Sequence, residues 1–84
     1  MATVDLDRIP ASLRRIPHWV LWREEARGSK MTKVPYTPAG RRASVTDATT
    51  WCAFGDAAAA LQTGKFAGIG FVLTADNHIV CVDL

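Results

Sequence analysis

Residues 68–84 read GIGFVLTADNHIVCVDL and carry the clearest strand signals of the sequence. It contains two apolar runs, at 68–73 and 79–84, separated by polar residues that favour a turn. Two such runs, rich in β-branched and aromatic side chains, predict neighbouring strands. Because side chains alternate along a strand, Cys81 and Asp83 point to the same face of the second one. The stretch therefore predicts a pair of buried strands that ends in one carboxylate.

The residues before this pair complete a pattern that mixes helices and strands. The predicted elements are, in chain order, a short helix at 9–16, strands at 18–23 and 32–36, a helix at 48–62 interrupted near Gly55, and the two strands above. Pro17 ends the first helix, and Pro35 puts its strand at an edge or an end of the sheet. This order predicts an α+β fold in which helices pack against a mainly antiparallel sheet.

The composition indicates one small globular domain that spans residues 1–84. The chain is 49% hydrophobic and 21% charged, which is typical of a folded protein. No apolar run approaches the roughly 20 residues that cross a bilayer, and Asp5 and Asp7 lie where a signal peptide would be basic. These features predict a cytoplasmic protein with no membrane partner. Cys52 and Cys81 lack the spacing of a zinc site, so two reduced, buried thiols are expected.

Two features allow a nucleic-acid partner without requiring one. Between residues 8 and 42, nine basic residues face only two glutamates, whereas from residue 43 onward one lysine faces four aspartates. A basic half allows a polyanionic partner, although a solvated surface explains most of these charges equally well. The large aromatic side chains present a similar choice, since Trp19, Trp22 and Trp51 either stack on bases or pack in the core. In so small a domain we expect core packing.

Asp83 is the first candidate for a functional side chain. An acid that ends an apolar strand is costly to bury unless it meets a cation, a hydrogen-bond donor or water. An acidic residue at position 85 would share its face, and such a pair would bind a hard divalent cation that activates a hydroxyl and clamps triphosphate oxygens. That position lies beyond the last residue, so the sequence itself predicts half of a metal site. A strand-end carboxylate that faces solvent is the alternative.

A second candidate site centres on the loop at 37–46. The residues that could contact a nucleotide or DNA there are Lys33, Arg41, Arg42, Ser44 and Thr46. Such a loop, leading into a helix N-terminus, can present guanidinium, hydroxyl and backbone donors to phosphate. A capped helix behind a solvated loop is the alternative.

Seven short blocks, taken in order, resemble the start of the bifunctional DNA primase-polymerases that phages, plasmids and other mobile elements encode. These enzymes belong to the archaeo-eukaryotic primase superfamily. The match runs from residue 9 to the last residue. The blocks are IPxxL at 9–13, WVLW at 19–22, TKVPY at 32–36, GRRASxTD at 40–47, TW at 50–51, GIGFVL at 68–73 and VDL at 82–84.

The resemblance implies a role in DNA replication. In this family a strand ends in Asp-hydrophobic-Asp, whose carboxylates hold the catalytic Mg²⁺ or Mn²⁺, and Asp83-Leu84 matches the first two positions. Asp83 is thereby implied as a catalytic residue and a metal ligand. The implied partners are a DNA template and nucleoside triphosphates, and a helicase fused in the full-length protein is compatible with the resemblance. Residues 1–84 are then the N-terminal part of a primase-polymerase domain, incomplete at the C-terminus, and we expect this part alone to incorporate no nucleotide.

Two other functions stay open on the sequence. A non-catalytic nucleic-acid-binding module would use the basic half, and its affinity for single-stranded DNA would depend on salt but not on metal. A non-functional remnant of a replication enzyme would fail to fold alone and would melt without cooperativity.

Overall fold

The computed structural model describes residues 9–75 and 78–83, and the two central residues of the turn predicted at 75–78 lie outside them. Two helices and four strands follow the predicted order. They are α1 (Ala11–Arg14), β1 (Trp19–Arg27), β2 (Lys30–Tyr36), α2 (Phe54–Leu61), β3 (Gly68–Ala75) and β4 (His78–Asp83). A single 3₁₀ turn, Ala48–Thr50, precedes α2. None of the helices in this described part is long and apolar enough to cross a membrane.

The strands form one sheet in the order β2-β1-β3-β4, and every neighbouring pair is antiparallel. The predicted α+β class with an antiparallel sheet is therefore confirmed. The strands β2 and β4 are the two edges, which agrees with Pro35 lying in β2. Gly28 turns the chain between β1 and β2 with a φ of 62°, a conformation that costs glycine little.

The core lies between the sheet and α2. The helix buries Ala57 and Ala60, whose small side chains let it approach β1 and β3 closely. Trp19 at the start of β1 is fully buried, and its indole donates from Nε1 to the carbonyl oxygen of Leu13 over 3.2 Å, which ties α1 to the core. The expectation that this tryptophan packs inside is confirmed.

The helix predicted at 48–62 is divided, because residues 51–53 are extended. Cys52 pairs with Trp19 through two backbone hydrogen bonds of 3.0 and 2.8 Å, so this segment extends the sheet locally instead of continuing a helix. Asp47 ends the preceding loop by accepting from the backbone N–H of Thr49. The interruption therefore lies before Gly55, which is inside α2.

His18, just before β1, is half-buried. Its Nδ1 donates to the carbonyl oxygen of Val72 over 3.0 Å, and the centroid of its ring lies 4.7 Å from that of Trp51.

Both cysteines are free and half-buried. Burial raises the pKa of the Cys52 thiol to about 11, so this thiol is protonated at neutral pH.

Gly68 allows the indole of Trp22 to lie directly on β3. A Cβ atom at Gly68 would come within 2.4 Å of the Trp22 ring, so we expect Gly68→Ala to destabilise the fold by about 1–3 kcal/mol through overpacking. Urea denaturation followed by circular dichroism measures this loss. Gly55→Ala is the control, since nothing lies within 4 Å of a Cβ there and helices favour alanine. Equal stability of the two variants would contradict this packing.

Candidate functional site

A groove of about 210 Å³ crosses the face of the sheet opposite α2. Alternation places Trp22 of β1, Lys33 of β2 and Asp83 of β4 on this face, because the register pairs Trp22 with Pro35 and Gly70 with Asp83. The groove is lined by Val20, Trp22, Lys33, Pro35, Val45, Cys81 and Asp83.

The floor of the groove is kept low by the glycines of β3. Gly70 lies between β1 and β4, and a Cβ there would come within 2.9 Å of Cys81 Sγ and 3.6 Å of Asp83 Oδ1. The glycines therefore leave room for the side chains of Trp22 and Cys81 on this face of the sheet. The low floor also lets side chains from the two edges of the sheet meet above β1 and β3.

Lys33 and Asp83 make that contact across two intervening strands. Lys33 Nζ donates to Asp83 Oδ2 over 2.8 Å, although strands three positions apart in a flat sheet are separated by about 14 Å. The sheet therefore curls, and the lysine side chain crosses the Trp22 ring with Nζ 4.5 Å from its centroid. The ring favours a cation at this position. Both partners stay accessible, with side-chain exposures of 48% and 40%.

The ion pair shifts the lysine toward its charged form. The hydrogen bond that Lys33 donates to Asp83 is the largest cause that raises the Lys33 pKa above its ordinary 10.5, and the Asp83 and Glu24 charges add to it against some desolvation. Cys81 lies beside the pair, and burial followed by the charge of Asp83 raises the pKa of its thiol. The groove thus combines one carboxylate, one ammonium and a protonated thiol.

We expect an NMR titration to find the Lys33 ammonium pKa above 10.5 in the folded chain and close to that value in Asp83→Asn. The sign follows from the raised pKa: the pair stabilises the fold below pH 10.5 and loses this contribution as pH rises through the folded value. Glu24→Gln is the control, and we expect it to lower the pKa less. An unchanged Lys33 pKa in Asp83→Asn would contradict the contact.

The loop candidates lie in three different surroundings. Val45 lines the groove, so the segment it shares with Ser44 and Thr46 borders the site, and the two hydroxyl oxygens are 2.9 Å apart. Arg42 instead turns to the α2 side of the sheet and donates to Glu25 over 2.9 Å. Arg41 is exposed, with its backbone N–H bonded to Thr37 Oγ1. Of the predicted set, the structure brings together Lys33 and Asp83, with the loop of Ser44 and Thr46 beside them.

Trp22 lines the groove, although the sequence predicts that it packs in the core. Its ring is half-buried and forms the surface under the lysine ammonium. Two signals could have indicated this role. Trp22 and Lys33 alternate onto one face if Pro35 pairs with Trp22, and Gly68 leaves room for a large ring on the neighbouring strand.

The groove supplies one ligand of the kind that Mg²⁺ or Mn²⁺ prefers. Hard divalent cations take several oxygen ligands, usually with more than one carboxylate. Across residues 9–75 and 78–83, no three His, Cys, Asp or Glu side chains are grouped so that they could hold a metal ion. Asp83 therefore fits as one member of a metal site, and further oxygen ligands would have to join it.

Comparison with known proteins relates this chain to the DNA primase-polymerases. No family profile matches it. It is 40% identical over 79 residues to the DNA primase-polymerase of Nitratiruptor phage NrS-1, and the match covers 90% of this chain and 10% of that protein. The resemblance to primase-polymerases is confirmed as a sequence relationship. The chain spans about a tenth of the length of this phage protein.

Proposed function

We propose that this chain is a piece of a DNA primase-polymerase, in which it forms one wall of the nucleotidyl-transfer site. The observation that carries the proposal is the 40% identity to a phage primase-polymerase over nearly the whole chain. The groove supports it, because an accessible carboxylate and an accessible lysine lie side by side above a low, glycine-containing floor. The substrates would be a DNA template and nucleoside triphosphates.

In this proposal Asp83 is one carboxylate ligand of a catalytic Mg²⁺ or Mn²⁺. Such an ion, when bound, neutralises charge on the triphosphate and lowers the pKa of the attacking hydroxyl. Lys33 holds the carboxylate in place through its 2.8 Å hydrogen bond and adds positive charge where phosphate oxygens would bind. Ser44 and Thr46 flank Val45, which lines the groove, and in this proposal their hydroxyls donate to the same phosphates.

The arginines of the loop take a peripheral part. Arg41 is exposed and able to contact DNA, whereas the Arg42 guanidinium is directed at Glu25 and away from the groove. The proposed setting is cytoplasmic replication of a phage or another mobile element, and a helicase fused to the same polypeptide would be consistent with it.

A chimera tests the proposed function. The 79 matched residues of the phage NrS-1 protein are replaced by those of this chain, and primer synthesis and extension on a single-stranded DNA template are measured with Mg²⁺ and with Mn²⁺. We expect template-dependent products from the chimera. A chimera that folds like the phage protein but makes no product with either ion would refute the proposal. The 84-residue chain alone, which provides one metal ligand, is expected to make none.

A further inference from the structure

Arg23 is fixed in place without an acidic partner. Its Nε donates to the backbone carbonyl oxygen of Lys65 over 2.8 Å, and its Cζ lies 4.6 Å from the ring centroids of both Tyr36 and Phe66. The ion pairs of the described residues join Lys33 to Asp83 and Arg42 to Glu25, and none includes Arg23. Arg23 as a whole residue is half-buried, its guanidinium lies over two buried rings, and its two terminal nitrogens have no hydrogen-bond partner in the part of the chain that the structure describes.

The same face of the β1–β2 hairpin carries further positive charge. Alternation puts Arg23, Glu25 and Arg27 of β1 on the α2 side, and the register adds Lys30, which lies opposite Arg27. Arg42 joins this face through Glu25, so four basic side chains face one acidic side chain. Glu25 is held by Arg42 and by the Tyr36 hydroxyl, which leaves Arg23, Arg27 and Lys30 as uncompensated charges among the described residues.

The spacing of these charges selects an extended ligand. Arg23 and Arg27 are four residues apart on one strand, which is about 13 Å, and a single phosphate group cannot bridge that distance. Arginine forks match phosphate oxygens, and a guanidinium already held by aromatic rings loses little freedom when it binds. Arg27 and Lys30 are exposed at the hairpin tip, so a chain of phosphates can reach them together with Arg23.

We propose that Arg23, Arg27 and Lys30 bind the phosphate backbone of single-stranded DNA on the α2 side of the β1–β2 hairpin, away from the Lys33–Asp83 groove. The identification of the polyanion as DNA rests on the proposed function, whereas the phosphate contact follows from the charges and their spacing. The surface is a positioning surface for a strand and not a reaction site, because none of its side chains is a nucleophile or a metal ligand.

Binding of labelled oligo(dT) to the 84-residue chain, measured by fluorescence anisotropy over a range of salt, tests this surface. The logarithm of the affinity falls as the logarithm of the salt concentration rises. We expect the double variant Arg27→Gln/Lys30→Gln to make this slope less steep by about 1.4, or about 0.7 for each lost phosphate contact. Arg23→Met, which keeps an unbranched side chain over the rings, makes the slope less steep by about 0.7. Arg15→Gln is the control, because this exposed arginine follows α1 and lies outside the hairpin, and its slope stays unchanged.

Three results would contradict the proposed DNA-binding surface. They are no binding of oligo(dT), equal slopes for all variants, or displacement of labelled oligo(dT) by polyglutamate as well as by unlabelled oligo(dT), which would indicate an acidic protein as the partner. If Arg23→Met fails to fold, the two exposed hairpin positions still decide the outcome. The chimera separates this inference from the proposed function. An active chimera combined with no oligo(dT) binding refutes the hairpin surface alone, and an inactive chimera with slopes that fall as expected refutes the proposed function alone.

Discussion

Asp83→Asn is expected to lower template-dependent synthesis by the chimeric primase-polymerase on the order of 100-fold or more. The substitution keeps the size of the side chain and removes its negative charge, so the proposed divalent cation would lose a ligand, and Lys33 loses its ion-pair partner. A bound metal ion contributes several kcal/mol of transition-state stabilisation, and each 1.36 kcal/mol corresponds to a factor of ten in rate. The measurement is the initial rate of nucleotide incorporation at saturating template.

Asp56→Asn is the matched control for this substitution. Asp56 is also an exposed aspartate, but it lies in the first turn of α2 on the other side of the sheet. Its loss affects only a favourable contact with the helix N-terminus, worth about 0.3–1 kcal/mol of stability. We expect this chimera to keep its rate within about twofold. If the Asp83→Asn chimera kept the rate of the unsubstituted chimera, the groove would have no part in nucleotide incorporation.

Trp19→Ala is expected to remove a large part of the stability of the chain. Trp19 is fully buried, and its ring meets those of Phe54 and Phe71 edge to face at 5.1 and 4.9 Å. Truncation of a buried tryptophan to alanine costs about 3–5 kcal/mol. A domain of this length has a total stability of about 4–13 kcal/mol, and small domains are marginal, so at the lower end of this range the variant is unfolded or close to it at 25 °C.

Trp51→Ala provides the comparison for that loss. Trp51 is half-buried and donates from its indole nitrogen to the carbonyl oxygen of Ser44 over 2.9 Å. Because part of its surface stays in water, truncation here removes less apolar burial, and we expect a clearly smaller loss. Urea denaturation of both variants, followed by circular dichroism, measures the difference. Equal losses would show that Trp19 is not the centre of the core.

The sheet was predictable because its signals are local. Apolar runs at 68–73 and 79–84 and the alternation of Cys81 with Asp83 are properties of neighbouring residues, and they specify strands and faces without tertiary information. The helix at 48–62 was predicted too long for the opposite reason. Its break depends on the backbone pairing of Cys52 with Trp19, 33 residues away, and helix propensity does not report such a contact.

The site was predictable only as separate residues. Lys33 and Asp83 were both candidates, but their contact depends on the curl of a four-stranded sheet over two glycines, which no local pattern determines. The direction of Arg42 depends in the same way on tertiary structure. Its guanidinium pairs with Glu25 and lies over the Tyr36 ring, and both of these hairpin residues are on the α2 side. A sequence shows which charges are present, and the sheet decides which of them meet.

The central claim is that the side chain at position 83 binds the catalytic divalent ion, and a change of ligand type tests it most directly. A thiolate binds Mg²⁺ poorly and softer ions well. In the chimera, we therefore expect Asp83→Cys to be inactive with Mg²⁺ and to regain synthesis when Zn²⁺ or Cd²⁺ is added, while the Asp83 chimera, which also has Cys81, gains nothing from these ions. Full activity of the folded Asp83→Cys chimera with Mg²⁺ alone, or no activity with any ion, would contradict the claim.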